Sequence, residues 1–237
     1  MKLSILKLKS QKRGLARRCL ALLMALSVFA ALDLPVVPTV GAANVEDAIM
    51  PLADPNKTLL ASFDFEDGSL TDLSGRDVKA ELLGPDASYI IDTGNNGAEE
   101  SNGYLDLTGS DAYLSLSGGI FNASDEMTVE MCVFAADTSA NRAFFAAPKE
   151  ESPENYLSIL LNNNSVTVER YADSKEGSKE LLSGSLPANE WHRIRVVFGK
   201  SAGALYIDGN KIDEAEWEFS LADHLGENGF FRFGNAL

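Results

Sequence analysis

Residues 190–212, Glu-Trp-His-Arg-Ile-Arg-Val-Val-Phe-Gly-Lys-Ser-Ala-Gly-Ala-Leu-Tyr-Ile-Asp-Gly-Asn-Lys-Ile, decide the fold. Side chains alternate between faces in an extended chain. His192, Ile194, Val196 and Phe198 therefore share one face, and Arg193, Arg195 and Val197 the other. A small Gly- and Ser-rich turn at 199–203 follows. The alternation then resumes, with Leu205 and Ile207 inward and Ala204 and Tyr206 outward. Asp208-Gly209 reverses the chain before Lys211-Ile212, since Gly accepts the positive φ of a tight hairpin at no steric cost. This is two strands and the start of a third.

The same rhythm runs outward from this hairpin. Short alternating runs separated by Gly, Asn, Asp and Ser predict strands at 59–66, 78–83, 88–92, 103–108, 112–117, 126–136, 142–147, 155–161, 165–171, 178–182, 191–198, 204–208, 211–214 and 229–233. The one helical signal is a possible turn at 219–225. With no repeat and no interior linker, this pattern predicts a single all-β, two-sheet antiparallel sandwich. Trp191, Phe63, Phe65, Phe198, Phe231 and Phe233 are its expected core.

Several runs carry a family resemblance. Trp191-His192, then Leu205-Tyr206-Ile207-Asp208-Gly209, resembles the Trp-His … hydrophobic-Tyr-hydrophobic-Asp-Gly signature of laminin-G-like modules. Leu59–Gly68 with Asp72-Leu73-Ser74-Gly75 looks like the first strand of that family and its turn. Tyr104–Leu107 with Gly109–Leu116, and Met127–Val133, look like its next strands. The resemblance implies a concanavalin A-like jelly roll, a fold used chiefly for glycan binding or adhesion and less often for catalysis. It also implies a closing strand of the type apolar-x-Gly-x-hydrophobic-Asp-x-hydrophobic near the first strand. Gly229–Gly234 matches only the penultimate strand. The chain is therefore expected to be the N-terminal part of a longer protein, its sandwich one strand short beside 59–66.

The N-terminus reads as an export leader. Its first 18 residues hold seven Lys or Arg and no acid, Cys19–Ala31 is apolar, and Val40-Gly41-Ala42-Ala43 offers small residues for cleavage. The apolar run is about 13 residues where a membrane span needs about 20. The expected organisation is a signal peptide at 1–43, cleaved after Ala43, a lead-in at 44–57 and a laminin-G-like domain at 58–237, secreted or at the cell surface. The missing bridge in a secreted domain looks bacterial: beyond the leader Cys132 is the only cysteine, a small mid-strand hydrophobe.

Charge excludes some partners. The whole chain has a formal net charge of −15, and removing a leader with seven bases and one acid leaves about −21. Nucleic acid needs clustered cations to displace counterions, so it is not a partner. An anionic membrane surface is disfavoured for the same reason, and the mature chain has no membrane span.

Catalysis is not expected in this chain. The resemblance extends to glucanases with Glu-x-Asp-x-x-Glu on one strand, but here that face offers Glu130, then Cys132 and Phe134. A lone carboxylate cannot supply the paired acid and nucleophile. The two histidines, His192 and His224, stand far apart in sequence.

Two binding chemistries remain. Asp64, Glu66, Asp72, Asp106 and Asp111 are candidate calcium ligands, since Ca²⁺ takes six to eight oxygens. The same residue types also make turns, and Asp208 is read as a hairpin residue only. Tyr104, Tyr113, Tyr171, Tyr206 and Trp217 are candidate sugar-stacking residues by strand parity or loop position. The expected function is a non-catalytic, extracellular carbohydrate-binding or adhesion module. The alternative is the targeting module of a glycoside hydrolase whose catalytic domain lies beyond residue 237.

Overall fold

The computed structural model describes residues 2–4, 59–65, 68–85, 87–92, 102–107, 111–116, 121, 124–134, 141–149, 154–162 and 164–234. Met1–Leu6 and Leu59–Leu237 form one compact unit, and Lys7–Thr58, outside the described residues, a second. The leader, its cleavage site and the lead-in thus lie outside the description, apart from residues 2–4.

Among the described residues fourteen strands run in chain order: β1 (Lys2–Ser4), β2 (Ala80–Leu83), β3 (Ser88–Asp92), β4 (Asn102–Asp106), β5 (Tyr113–Leu116), β6 (Met127–Phe134), β7 (Asn141–Ala147), β8 (Tyr156–Asn162), β9 (Ser165–Tyr171), β10 (Ser178–Ser185), β11 (Trp191–Phe198), β12 (Ala202–Ile207), β13 (Asn210–Glu216) and β14 (Phe230–Gly234). They make two seven-stranded sheets, ordered β13-β12-β11-β6-β1-β4-β3 and β10-β9-β8-β7-β14-β5-β2, with every pairing antiparallel. This is the expected jelly-roll sandwich. The possible turn at 219–225 is a short helix, α1 (Leu221–Leu225), whose N-terminus is capped by Ser220 Oγ accepting from Asp223 N at 3.1 Å.

Period-two patterning places the core. Along β11, His192, Ile194, Val196 and Phe198 are buried while the alternate positions are exposed or half-buried, and β12 repeats this. The facing sheet supplies Phe144, Leu157, Ile159, Val166 and Val168. Phe144 stacks on Phe231 with centroids 6.0 Å apart, and Phe121 meets Phe231 edge-on. Each such apolar side chain contributes roughly 1.5–3 kcal/mol on burial. Among the described residues no helix is long and apolar enough to cross a membrane.

The signature hairpin has a physical cause. His192 Nδ1 faces Asp208 Oδ2 at 2.8 Å, and its Nε2 faces the Pro187 carbonyl at 3.0 Å. Asp208 Oδ1 also accepts from Arg193 N at 2.8 Å, and Asp208 N donates to Arg193 O at 2.9 Å. Asp208 therefore does more than turn the chain, as the sequence reading had it. It fastens the end of the β12–β13 hairpin to β11, which is why Trp-His and Asp-Gly occur together.

One expectation is corrected. Residues 59–65 form no strand, although Phe63 and Phe65 are buried as expected. Phe65 has φ of 57°, which breaks an extended run, and the segment is bonded to the following turn instead. Between β4 and β6 the sheet is completed by β1.

Candidate functional site

The outward positions of β11 begin at Trp191 and continue through Arg193 and Arg195, about 6.5–7 Å apart per two residues of strand. On β6, Phe134 pairs with Trp191, Cys132 with Arg193 and Glu130 with Arg195. Outer-face side chains therefore form two rows, aromatic at one end and ionic at the other.

At the aromatic end Trp191 meets Phe134 with centroids 5.5 Å apart and Tyr104 of β4 with centroids 5.9 Å apart, both edge-to-face. The indole is nonetheless 44% exposed in the middle of a sheet. This corrects its expected place in the core. Strand parity is the reason: His192 takes the inward position, so Trp191 must point out.

The ionic end is closed on itself. Glu130 receives Arg195 through Oε2 and lies 3.2 Å from Arg193 Nε through Oε1. Between two guanidinium groups this carboxylate serves as a bridge, and its neighbours along the strand face are Cys132 and Phe134. The arrangement is a rigid aromatic surface flanked by cations. It suits stacking against an apolar ring face, with hydrogen-bond donors to one side.

The sugar-stacking candidates do not gather in one place. Tyr104 belongs to this platform, and Tyr206 stands opposite Arg195 on β12. Tyr113, on the other sheet, carries the Arg232 guanidinium 4.6 Å above its ring. Tyr171, also on that sheet, stacks parallel to Tyr156 at 5.0 Å, beneath which Arg142 lies 5.4 Å from the Tyr156 ring. Burial pushes the Tyr156 phenol up from its ordinary value. Trp217 is corrected outright: it is 8% exposed and its Nε1 donates to Gly199 O at 3.2 Å. Its ring lies so close over Gly203 that an added Cβ would come 2.0 Å from Cη2. Two residues that alternation alone could have found, Trp191 and Phe134, were missed because a Trp at a motif position invites a core assignment.

The calcium candidates fare differently from one another. Asp72 is spent on its own turn. Oδ1 accepts from Ser62 N at 3.0 Å and Ser74 N at 2.9 Å, and Oδ2 from Ser74 Oγ at 2.7 Å and Val78 N at 3.0 Å. That corrects its assignment as a ligand. Asp64 is buried, Asp106 half-buried and Asp111 exposed, while Glu66 lies outside the described residues. Among the described residues no three His, Cys, Asp or Glu side chains come together as a metal site.

The Asp72 turn yields a pH prediction. Burial pushes its pKa up, but the Ser74 hydroxyl and the Val78, Ser74 and Ser62 amides outweigh this and lower it from 3.8 to about 2. A depressed carboxylate adds stability that is complete above about pH 4 and is lost as pH falls through about 2. Asp72→Ala is expected to cost about 1–2 kcal/mol at pH 7, discounted for partial exposure. The cost should shrink as denaturation is repeated toward pH 2, and an undiminished cost would show that charge is not the cause.

The chain was compared with known proteins. A family profile, that of the concanavalin A-like lectin/glucanases superfamily, matches residues 108–236. No curated protein matches by sequence. Among solved structures, domain 4 of an extracellular arabinanase from Geobacillus stearothermophilus, in complex with arabinotriose, is similar with a TM-score of 0.56 at 16% identity, covering 74% of this chain and 82% of that one. A botulinum neurotoxin type C structure, from a study of cell entry through two ganglioside molecules, is similar with a TM-score of 0.52 at 13% identity, covering 83% and 45%. A botulinum neurotoxin DC binding domain in complex with rat synaptotagmin II is similar with a TM-score of 0.51 at 10% identity, covering 76% and 44%. This chain therefore spans under half the length of the toxin chains. At these identities the likeness is one of fold.

Proposed function

We infer that this chain, which belongs to the concanavalin A-like lectin/glucanases superfamily, is an extracellular carbohydrate-binding module that holds sugar on the Trp191 platform. The observation that carries this is the half-exposed indole, fixed by Phe134 and Tyr104 rather than free to collapse onto the sheet. A rigid aromatic face with a few polar groups beside it is what binding a sugar ring requires. Arg193, Arg195 and Tyr206 stand beside it as those polar groups. The basic-then-apolar leader supports the extracellular placement, and the Arg-bridged Glu130 supports a module without its own catalytic pair.

A second reading, the targeting module of a larger glycoside hydrolase, is favoured by the arabinanase neighbour, where a sandwich of this fold is one domain of a hydrolase and was solved with arabinotriose. The two readings share the platform. A glycan array spanning plant, bacterial and animal sugars tests both, with capture of at least one glycan class expected. Retention of binding after Trp191→Ala would move the site elsewhere, the stacked Tyr156–Tyr171 pair being the next place to look. No capture at all would overturn the reading.

A further inference from the structure

We propose that the Tyr171 ring is a second sugar subsite, on the sheet opposite Trp191, so that one module holds two glycans back to back. This rests on the reading of the chain as a sugar-binding module, and adds a separate place and a narrower ligand class, a neutral sugar ring. In β8 and β9 the core takes Leu157, Ile159, Val166 and Val168, so Tyr156, Ser158, Glu169 and Tyr171 point away from it. On β7 Phe144 and Ala146 belong to the core and Phe145 to the outer face. Phe145, Tyr156 and Tyr171 thus form a row of rings across three neighbouring strands. Phe145 and Tyr156 have centroids 5.4 Å apart, and Tyr156 and Tyr171 5.0 Å apart with planes 6° from parallel.

The row is closed at one end and open at the other. At the closed end the Arg142 guanidinium lies 5.6 Å from the centre of the Phe145 ring and 5.4 Å from that of Tyr156. At the other end Tyr171 stands in register with Ser178 of β10, the edge strand of its sheet. Ser178 is exposed and short, so the face of Tyr171 turned away from Tyr156 looks across a step one strand wide. Strands lie about 4.8 Å apart, within the range at which rings stack, so a ligand ring laid over Ser178 continues the row at its own spacing. The turn at 173–177 holds the step in shape. There Asp173 Oδ1 accepts from Lys175 N at 2.7 Å and Glu176 N at 3.0 Å, and Gly177 N donates to Asp173 O at 2.8 Å. A preformed face loses little freedom on binding.

Polar groups beside the step choose the ligand. Glu169 accepts from Ser158 Oγ at 2.8 Å through Oε1 and from Ser178 Oγ through Oε2. Ser178 thereby holds the carboxylate at the border of the step, and each oxygen keeps a further lone pair. Glu180 stands in register with Glu169 and is exposed. Carboxylates beside the open ring face accept from sugar hydroxyls and repel a sugar acid. The Trp191 platform has the opposite character, with Arg193 and Arg195 beside it. A packed core separates the two faces, its sheets about 10 Å apart, so no single sugar ring touches both.

The test titrates the isotope-labelled full chain with three neutral trisaccharides, cellotriose, xylotriose and maltotriose, and follows nuclear magnetic resonance shifts. With at least one of them, resonances of Tyr171 and Ser178 are expected to move together and to saturate on a curve separate from that of the Trp191 indole. Ser178→Tyr fills the step with a ring of the protein's own at an exposed position. It should weaken the Kd read at Tyr171 at least about tenfold and leave that read at Trp191 within about twofold. Shifts at Trp191 alone would overturn this inference and leave the first site standing. Shifts at Tyr171 alone would support it and remove the first site. No shift at Tyr171 with any of the three sugars, or an unchanged Kd there in a folded Ser178→Tyr variant, overturns it as well. If that variant does not fold, the wild-type titration decides.

Discussion

Replacing Trp217 by alanine is expected to destabilise the domain by about 3–5 kcal/mol, the range for large aromatic side chains removed from a core. The indole packs against Phe198 and Phe219, with centroids 6.1 and 5.3 Å away. It also covers Gly203 and closes the Gly199 carbonyl. Truncation would leave a cavity between the β11–β12 hairpin and the segment leading to α1, and strip the half-buried Gly199 carbonyl of the indole donor. Gly203→Ala attacks the same contact from the other side, because the added methyl would collide with the ring. Urea denaturation of both variants checks this. A loss below about 1 kcal/mol for Trp217→Ala would show that the site collapses around the gap.

Trp191→Ala should behave in the opposite way. The side chain is half-exposed and makes two edge-to-face contacts, each worth about 0.5–1.5 kcal/mol when fully formed, so the stability cost should stay near 1–2 kcal/mol. Binding should suffer more. A central aromatic anchor contributes about 2 kcal/mol or more, which weakens Kd about thirtyfold. Calorimetry against the glycan selected by the array, alongside thermal melts, separates the two effects. Unchanged affinity with a large drop in melting temperature would return Trp191 to the structural role that its motif suggests. Trp191→Phe, which keeps an aromatic face, should recover part of the affinity.

These two tryptophans show where the sequence could be read and where it could not. Strand positions were legible because apolar alternation reports burial directly, and β3, β9 and β11 fall at their expected bounds. The Asp208-Gly209 reversal was legible because few residues tolerate its backbone. The exposure of Trp191 was also encoded, in the inward parity of His192, but hydrophobicity argued the other way. Trp217 follows the last residue of β13, where parity has run out, and only the bare backbone of Gly203 opposite tells that it folds inward. The loss of a strand at 59–65 had no signal in hydrophobic pattern. It arises from the left-handed Phe65 and from a turn whose Asp72 recruits backbone amides ten residues before it and six after. The filling of the sheet centre by Lys2–Ser4 was not legible, since a basic N-terminus followed by an apolar run reads as a leader before it reads as a strand.

That central strand also bears on the order in which the molecule assembles. The β11–β12 hairpin closes across a three-residue turn, with Gly199 N donating to Ala202 O at 2.8 Å, a step of microseconds in isolated hairpins. Leu3 must find Leu105 and Val133, more than a hundred positions away along the chain. Contacts between such distant residues carry the largest loop-closure entropy and are the slowest to form. The sheet is therefore expected to grow inward from its late hairpins and to knit at its middle last. A ribosome would release more than half of the chain before β6, the second wall of that middle, was available. Through that interval Lys2–Ser4 has only one of its two neighbouring strands, β4, to pair with.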